Sequence, residues 1–221
     1  MLGSSKLSPL QERVIEVLAG MEPVWTLTGG AALAGIHLGL RTTRDVDLFW
    51  HGREQLGDVV HEAERRLRAA GLEVSVLQHS VGFARLRVKA ASDVVTVDLV
   101  AEPVASIEPP VRISWHGAIV QVDSPHEILV NKLCTLLERL ELRDLGDVRA
   151  LLQAGGDLRR ALADAPRKDA GFSPLTLAWV LRGFDVEVLG PSAGVQPADI
   201  EALKNFRDEL IDELVALAVP E

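Results

Sequence analysis

The sequence predicts an α/β core with a mixed sheet over residues 1–123, followed by a helical C-terminal subdomain over 124–221. Three observations predict it: a strand–helix–strand passage over residues 23–49, successive extended runs between residues 72 and 100, and a change to helical periodicity after Ser124. At 221 residues, 48% apolar and 25% charged, the chain suits a soluble globular protein with one good core and an added subdomain.

Ser8 opens a helix, with Pro9 in the first turn and Gln11 three residues after the cap; apolar Val14, Ile15, Val17 and Leu18 then run to Gly20. Residues 23–28 read as the first strand and 31–38 as a short helix stopped by Gly39, with the pair Gly29-Gly30 as the turn between them. A second strand carries Asp45-Val46-Asp47-Leu48-Phe49, and residues 54–70 show helical spacing that ends at Gly71. Strands follow at 72–77, 83–88 and 94–100, with turn signals at His79-Ser80 and Ala91-Ser92-Asp93. Residues 111–114 and 118–122 form a hairpin across His116-Gly117, placed at the sheet edge.

From Ser124 the pattern is helical. Ser124-Pro125-His126-Glu127 has the composition of a capping box, and the helix it opens places Lys132, Leu136, Arg139 and Arg143 at spacings of four, three and four, on one face. Residues 157–165, 173–184 and 197–218 complete the helical part, with residues 190–194 as a loop.

Composition bounds the function. The net charge of −9, from 32 acidic and 23 basic residues, argues against a broad non-specific hold on nucleic acid and leaves room for a local basic groove. Arginines 65, 66 and 68, and 159 and 160, read as solvated helix faces. The single cysteine, Cys134, excludes an intramolecular disulfide and reads as a small buried side chain. The opening residues lack a basic segment followed by an apolar run, and no stretch of about eighteen apolar residues occurs, so a cytoplasmic protein without membrane partners is expected.

The chemistry concentrates in two places. Adjacent glycines let the backbone approach an anion with no Cβ in the way, and the helix that follows turns its positive end toward the same spot. Asp45 and Asp47, two apart in an extended apolar run, point to one face of the sheet, where they repel unless a cation lies between them; hard oxygen ligands favour Mg²⁺ or Mn²⁺. Asp98 stands in a strand otherwise suited to burial, so it needs donors, a shared cation, or a nearby turn to cap.

The passage Gly29-Gly30-x-Ala32-Leu33, with His37, Arg41, Thr43 and Asp45-x-Asp47, resembles the nucleotidyltransferase superfamily, most closely the AbiEii/AbiGii-like toxins of type IV toxin–antitoxin and abortive-infection systems. Lys132, Arg139 and Arg143-Asp144-x-x-Asp147 resemble that group's later motifs. The resemblance, over about residues 24–152, implies an NTP- and Mg²⁺- or Mn²⁺-dependent enzyme in which Asp45, Asp47 and Asp98 are catalytic and hold metal. It implies that Gly29 and Gly30 cradle the β- and γ-phosphates and that Lys132, with Arg44 or Arg41, balances triphosphate charge. Thr43, Arg143 and Asp144 are further nucleotide-binding candidates, and the helical part completes the nucleotide cleft. Asp147, preceded by Gly146 where the group has a bulky residue, and His37 receive no role. An RNA acceptor such as tRNA and a cognate antitoxin partner are implied. A small-molecule or protein-hydroxyl acceptor, or an inactive nucleotide- or partner-binding module, are the alternatives.

Overall fold

Among the described residues, period-two alternation of apolar residues builds a mixed seven-stranded sheet in which the strands lie in the order Glu73–His79, Phe83–Ala90, Asp93–Glu102, Asp45–His51, Thr26–Thr28, Ala118–Val122 and Val111–Trp115. The computed structural model describes residues 5–39 and 41–218 and divides into two compact units, Met1–Ser124 and Pro125–Glu221. In the first, α1 (Pro9–Leu18) leads through β1 (Thr26–Thr28) and α2 (Gly29–Ala32), extended by a π-helical turn over Leu33–His37, into β2 (Asp45–His51). Then come α3 (Val59–Ala69), β3 (Glu73–His79), β4 (Phe83–Ala90), β5 (Asp93–Glu102), β6 (Val111–Trp115) and β7 (Ala118–Val122).

The central strands β2 and β5 run parallel in unbroken register from Asp45↔Thr96 to His51↔Glu102. On one face Val46, Leu48 and Val97 are fully buried, with Val14, Ile15 and Leu18 of α1 and Ala63 and Leu67 of α3 also inaccessible. The opposite face of β2 carries Asp45, Asp47, Phe49 and His51, all partly exposed. α1 starts as expected: Ser8 accepts from the Gln11 backbone N–H while the Gln11 side chain accepts from that of Ser8. In the expected hairpin, β6 lies at the sheet edge and His116 and Gly117 both take positive φ, 47° and 88°.

Several boundaries differ from expectation. The first strand is confined to Thr26–Thr28, and the helix after it begins at Gly29 rather than Ala31, so the glycine pair opens the helix instead of preceding it. α3 begins at Val59, because Gly57 has φ +57° and the Leu56 N–H is drawn to the Val81 carbonyl.

The second unit contains α4 (Pro125–Glu138), α5 (Leu142–Gln153), α6 (Leu158–Asp164) with a 3₁₀ turn at Ala165–Arg167, α7 (Pro174–Arg182), α8 (Val186–Ser192) and α9 (Pro197–Ala218). Arg143 therefore lies on α5 and not on the helix of Lys132: Glu141 adopts an extended conformation, and its carbonyl starts α5 by accepting from the Asp144 and Leu145 N–H groups. The residues expected as a loop at 190–194 are in part helical. Asp185 caps α8 through the Val188 N–H, and a Cβ at Gly190 would stand 2.5 Å from Ile200 of α9, so the glycine permits a close crossing. Glu127 is fully buried and paired to Lys168 at 2.5 Å, and the Ser124 hydroxyl donates to Glu108. No helix among the described residues is long and apolar enough to cross a membrane.

Candidate active site

Register sets the first feature of the site. Asp47 is the pairing partner of Asp98 on β5 and of Thr28 on β1, and Asp45 follows two residues away on the same face, so the carboxylates form a row across adjacent strands. The helix start closes on this row. Gly29 has φ +61°, and a Cβ there would lie 2.5 Å from Asp47 Oδ2 and 3.2 Å from its Cγ. A Cβ on Gly30 would meet Thr43 Oγ1 at 2.9 Å and Arg41 Nη2 at 3.3 Å. The structure thus brings Gly29, Gly30, Arg41, Thr43, Asp45, Asp47 and Asp98 together; Arg44, next to Asp45 in the chain, is exposed. The first N–H groups of a helix have no intrahelical acceptor, so the backbone at Gly29 and Gly30 supplies donors beside the row.

Asp98 is 7% exposed, and its charge is met by Arg85 of β4, which donates from Nε to Oδ1 at 2.8 Å and from Nη2 to Oδ2 at 2.7 Å. This ion pair, rather than a turn cap, accounts for the buried carboxylate. The guanidinium sits 5.6 Å from the centre of the Phe83 ring. Its basicity is raised above the ordinary arginine value, first by the Asp98 hydrogen bonds and further by the charges of Asp98, Asp45 and Asp47, against a smaller desolvation penalty. All-oxygen donors fit Mg²⁺ or Mn²⁺ by their chemistry. Among the described residues, however, no group of three or more Asp, Glu, His or Cys side chains is disposed to hold a metal ion as folded, and the third carboxylate is occupied by an arginine.

His37, at the end of the π-helical turn, uses Nε2 toward the Asp123 carbonyl at 2.8 Å. A carbonyl only accepts, so Nε2 carries the proton. Burial lowers the pKa of His37 despite the opposing effects of this bond and of the Asp123 charge, which makes the residue a neutral tie between helix and sheet. His51 Nε2 lies 3.0 Å from Oδ1 of Asp123, which is fully buried.

In the helical unit Lys132 Nζ stands 2.5 Å from Asp144 Oδ1 and 2.9 Å from Asp147 Oδ2. Arg139 Nε reaches Asp144 Oδ2 at 3.2 Å, and Arg143 Nε pairs with Glu141 at 2.6 Å. Asp144 is fully buried and Asp147 nearly so. The ammonium expected to emerge from an apolar helix face is thus held between two carboxylates of α5. Asp147 is one of them, so the alternative reading of the sequence, a basic face paired to Asp144 and Asp147 by salt bridges, describes this contact.

The model of the nucleotidyl transferase AbiEii toxin family, of type IV toxin–antitoxin systems, matches residues 15–218. The chain belongs to this family. AbiEii membership makes it a nucleotidyltransferase toxin, with an NTP as substrate and an antitoxin partner implied by the type IV system. No curated protein sequence matches it. Among solved structures it is similar to MenT4, a nucleotidyltransferase toxin from Mycobacterium tuberculosis, with TM-score 0.64 and 17% identity over 96% of this chain and 82% of that one. It is also similar to a candidate nucleotidyltransferase from H. pylori, with TM-score 0.55 and 18% identity over 96% of each chain. At such identities the likeness concerns the fold: a mixed sheet with helices and a helical C-terminal part.

Sequence reasoning passed over Arg85, although a signal for it exists. The turn at Ala91-Ser92 closes the β4–β5 hairpin with Ala90 opposite Asp93, and counting outward from that pair sets Arg85 opposite Asp98. His51 was missed as well; it lies two alternations beyond Asp47 on the same face of β2, while its partner Asp123 follows the end of β7 and no local spacing connects them.

Proposed function

We propose that this AbiEii-family protein transfers a nucleotide from an NTP to an acceptor hydroxyl at the carboxylate row of β2 and β5, with Asp45, Asp47 and Asp98 as the catalytic carboxylates and ligands of Mg²⁺ or Mn²⁺. The observation that carries the reading is the close approach of Gly29 to Asp47, where a Cβ would stand 2.5 Å from Oδ2; it favours backbone donors for phosphate beside oxygens for a metal. A divalent cation there would neutralise charge on the transferring phosphate and favour deprotonation of the acceptor hydroxyl. The backbone amides of Gly29 and Gly30 bind phosphate oxygens, Arg44 or Arg41 offsets triphosphate charge, and Thr43, whose Oγ1 faces Gly30, is a further nucleotide-binding residue. The nucleotide-binding role of Lys132, Arg143 and Asp144 belongs to the same proposal and is tested apart from their ion pairs, by nucleotide affinity.

For the acceptor we propose RNA, such as the end of a tRNA, with a cognate antitoxin silencing the transfer. Membership in a type IV toxin family supports both. The net charge of −9 favours a second acceptor class, a small molecule or a protein hydroxyl. Incubation with each radiolabelled NTP, Mg²⁺ and a whole-cell lysate separates them: label is expected in the tRNA band. Label in protein or in the low-molecular-weight fraction would establish the second class, and absence of label with every NTP would refute the transfer.

A further inference from the structure

A buried carboxylate beside two others stands only if something positive stands with it, and of the three only Asp98 is buried. Here the positive group is an arginine. Arg85 donates from Nε and Nη2 to the two oxygens of Asp98, at 2.8 and 2.7 Å, and among the described residues the Asp98 carboxylate has no other side-chain hydrogen-bond or ion-pair partner. The Arg85 side chain is nevertheless 44% exposed, against 10% for that of Asp98, so the guanidinium approaches from the solvent side of the row and can leave without disturbing the core. In this position the guanidinium also lies over the Phe83 ring, 5.6 Å from its centre. Both strands are held in register from Phe83↔Val100 to Ala90↔Asp93, so the pairing is fixed by the hairpin rather than by a mobile loop.

We propose that Arg85 is the resident counter-cation of the carboxylate row, and that a divalent metal binds Asp98 only by displacing the guanidinium from it. Arg85 is then a positioning residue that sets the threshold for metal entry: with it in place Asp98 stays ordered and neutralised in the metal-free protein, and binding must first break a bidentate ion pair. The inference rests on the proposed metal role of Asp45, Asp47 and Asp98 and concerns a residue that the reading itself does not require.

The test is Mn²⁺ binding to the full chain without NTP, followed by the electron paramagnetic resonance signal of free Mn²⁺, for wild type, Arg85→Ala and Arg85→Lys. Arg85→Ala is expected to bind Mn²⁺ about tenfold tighter or more, the amount a lost charge-assisted competitor represents. Arg85→Lys, which keeps a charge and loses the two-point fork, should fall between. Thermal melting supplies a second readout: metal-free Arg85→Ala should melt below wild type, and saturating Mn²⁺ should raise its Tm by more than it raises that of wild type. Equal Mn²⁺ affinity in wild type and both variants, or weaker binding by Arg85→Ala, overturns the counter-cation role and leaves the metal reading standing. No Mn²⁺ binding by any of the proteins overturns the metal reading and the inference together.

Discussion

Gly29→Ala separates the fold from the chemistry at one atom. The added Cβ would start 2.5 Å from Asp47 Oδ2, whereas ordinary contact begins near 3.4 Å, so the carboxylate must retreat by the difference. Asp47 is partly exposed and has a rotatable terminus, so the retreat amounts to an off-rotamer side chain, roughly 0.5–1.5 kcal/mol. Alanine at φ +61° adds about 1–2 kcal/mol for the left-handed backbone. The sum, about 1.5–3.5 kcal/mol, corresponds to a fall in Tm of roughly 3–14 °C for a chain of this size. Transfer should suffer far more, because a displacement of that order in a reacting constellation costs about a hundredfold in rate. Gly30→Ala is the internal control. Its neighbours are the Thr43 hydroxyl and the end of the Arg41 side chain, both able to yield, and Gly30 has no positive φ. It should lose about tenfold or less. The comparison needs initial rates of NTP-dependent labelling and a melting curve for each protein. Wild-type turnover by Gly29→Ala would show that Asp47, in the position the fold gives it, is not part of the reacting centre.

Three further outcomes are expected. Asp45→Asn and Asp47→Asn should each lower transfer by about a hundredfold or more while melting close to wild type, since each removes charge and keeps shape; near-normal turnover with an unchanged metal requirement would refute the ligand assignment. Millimolar Mg²⁺ with NTP should raise the Tm of wild type by mass action, and a flat response would argue against binding at the row. Lys132→Ala should destabilise the chain by about 3–5 kcal/mol in chemical denaturation, because it leaves buried Asp144 and Asp147 without their shared cation. A loss below about 1 kcal/mol would refute that role, and calorimetry on the same variant reports whether Lys132 also binds NTP.

How far the sequence could be read depended on how local each signal was. The capped start of α1, the Asp45-x-Asp47 strand, the hairpin across His116-Gly117 and the change to helix near Ser124 are all written in short windows, and all are present in the fold. The break between α4 and α5 was hidden because residues 138–143 are good helix formers; what ends α4 there accompanies pairing of Lys132 and Arg139 with Asp144, which is a tertiary effect. α8 was hidden for the opposite reason. Gly190 and Pro191 look like a turn, yet the glycine serves the crossing with Ile200 and the proline falls in the last turn of a capped helix. Of the candidate site, the row itself was visible, but its neutralisation by Arg85 required the β4–β5 register.

That register also explains why the site's geometry follows from the core and needs no separate specification. Val46, Leu48 and Trp50 alternate with Asp45, Asp47 and Phe49, and across the parallel pair they meet Val97, Leu99 and Ala101. All six of those partners are buried. A slip of one residue between β2 and β5 would bring one strand's carboxylate face against the other's apolar one, placing Asp47 opposite Val97 or Leu99 and exposing or stranding a full set of core side chains. At about 1.5–3 kcal/mol for each large apolar residue withdrawn from water, such a slip is excluded by several times any repulsion between the carboxylates. The apolar pattern therefore forces Asp47 and Asp98 side by side whether or not a cation is present. The chain answers that forced proximity with an arginine on the next strand, opposite Asp98, in the one register the hairpin turn allows.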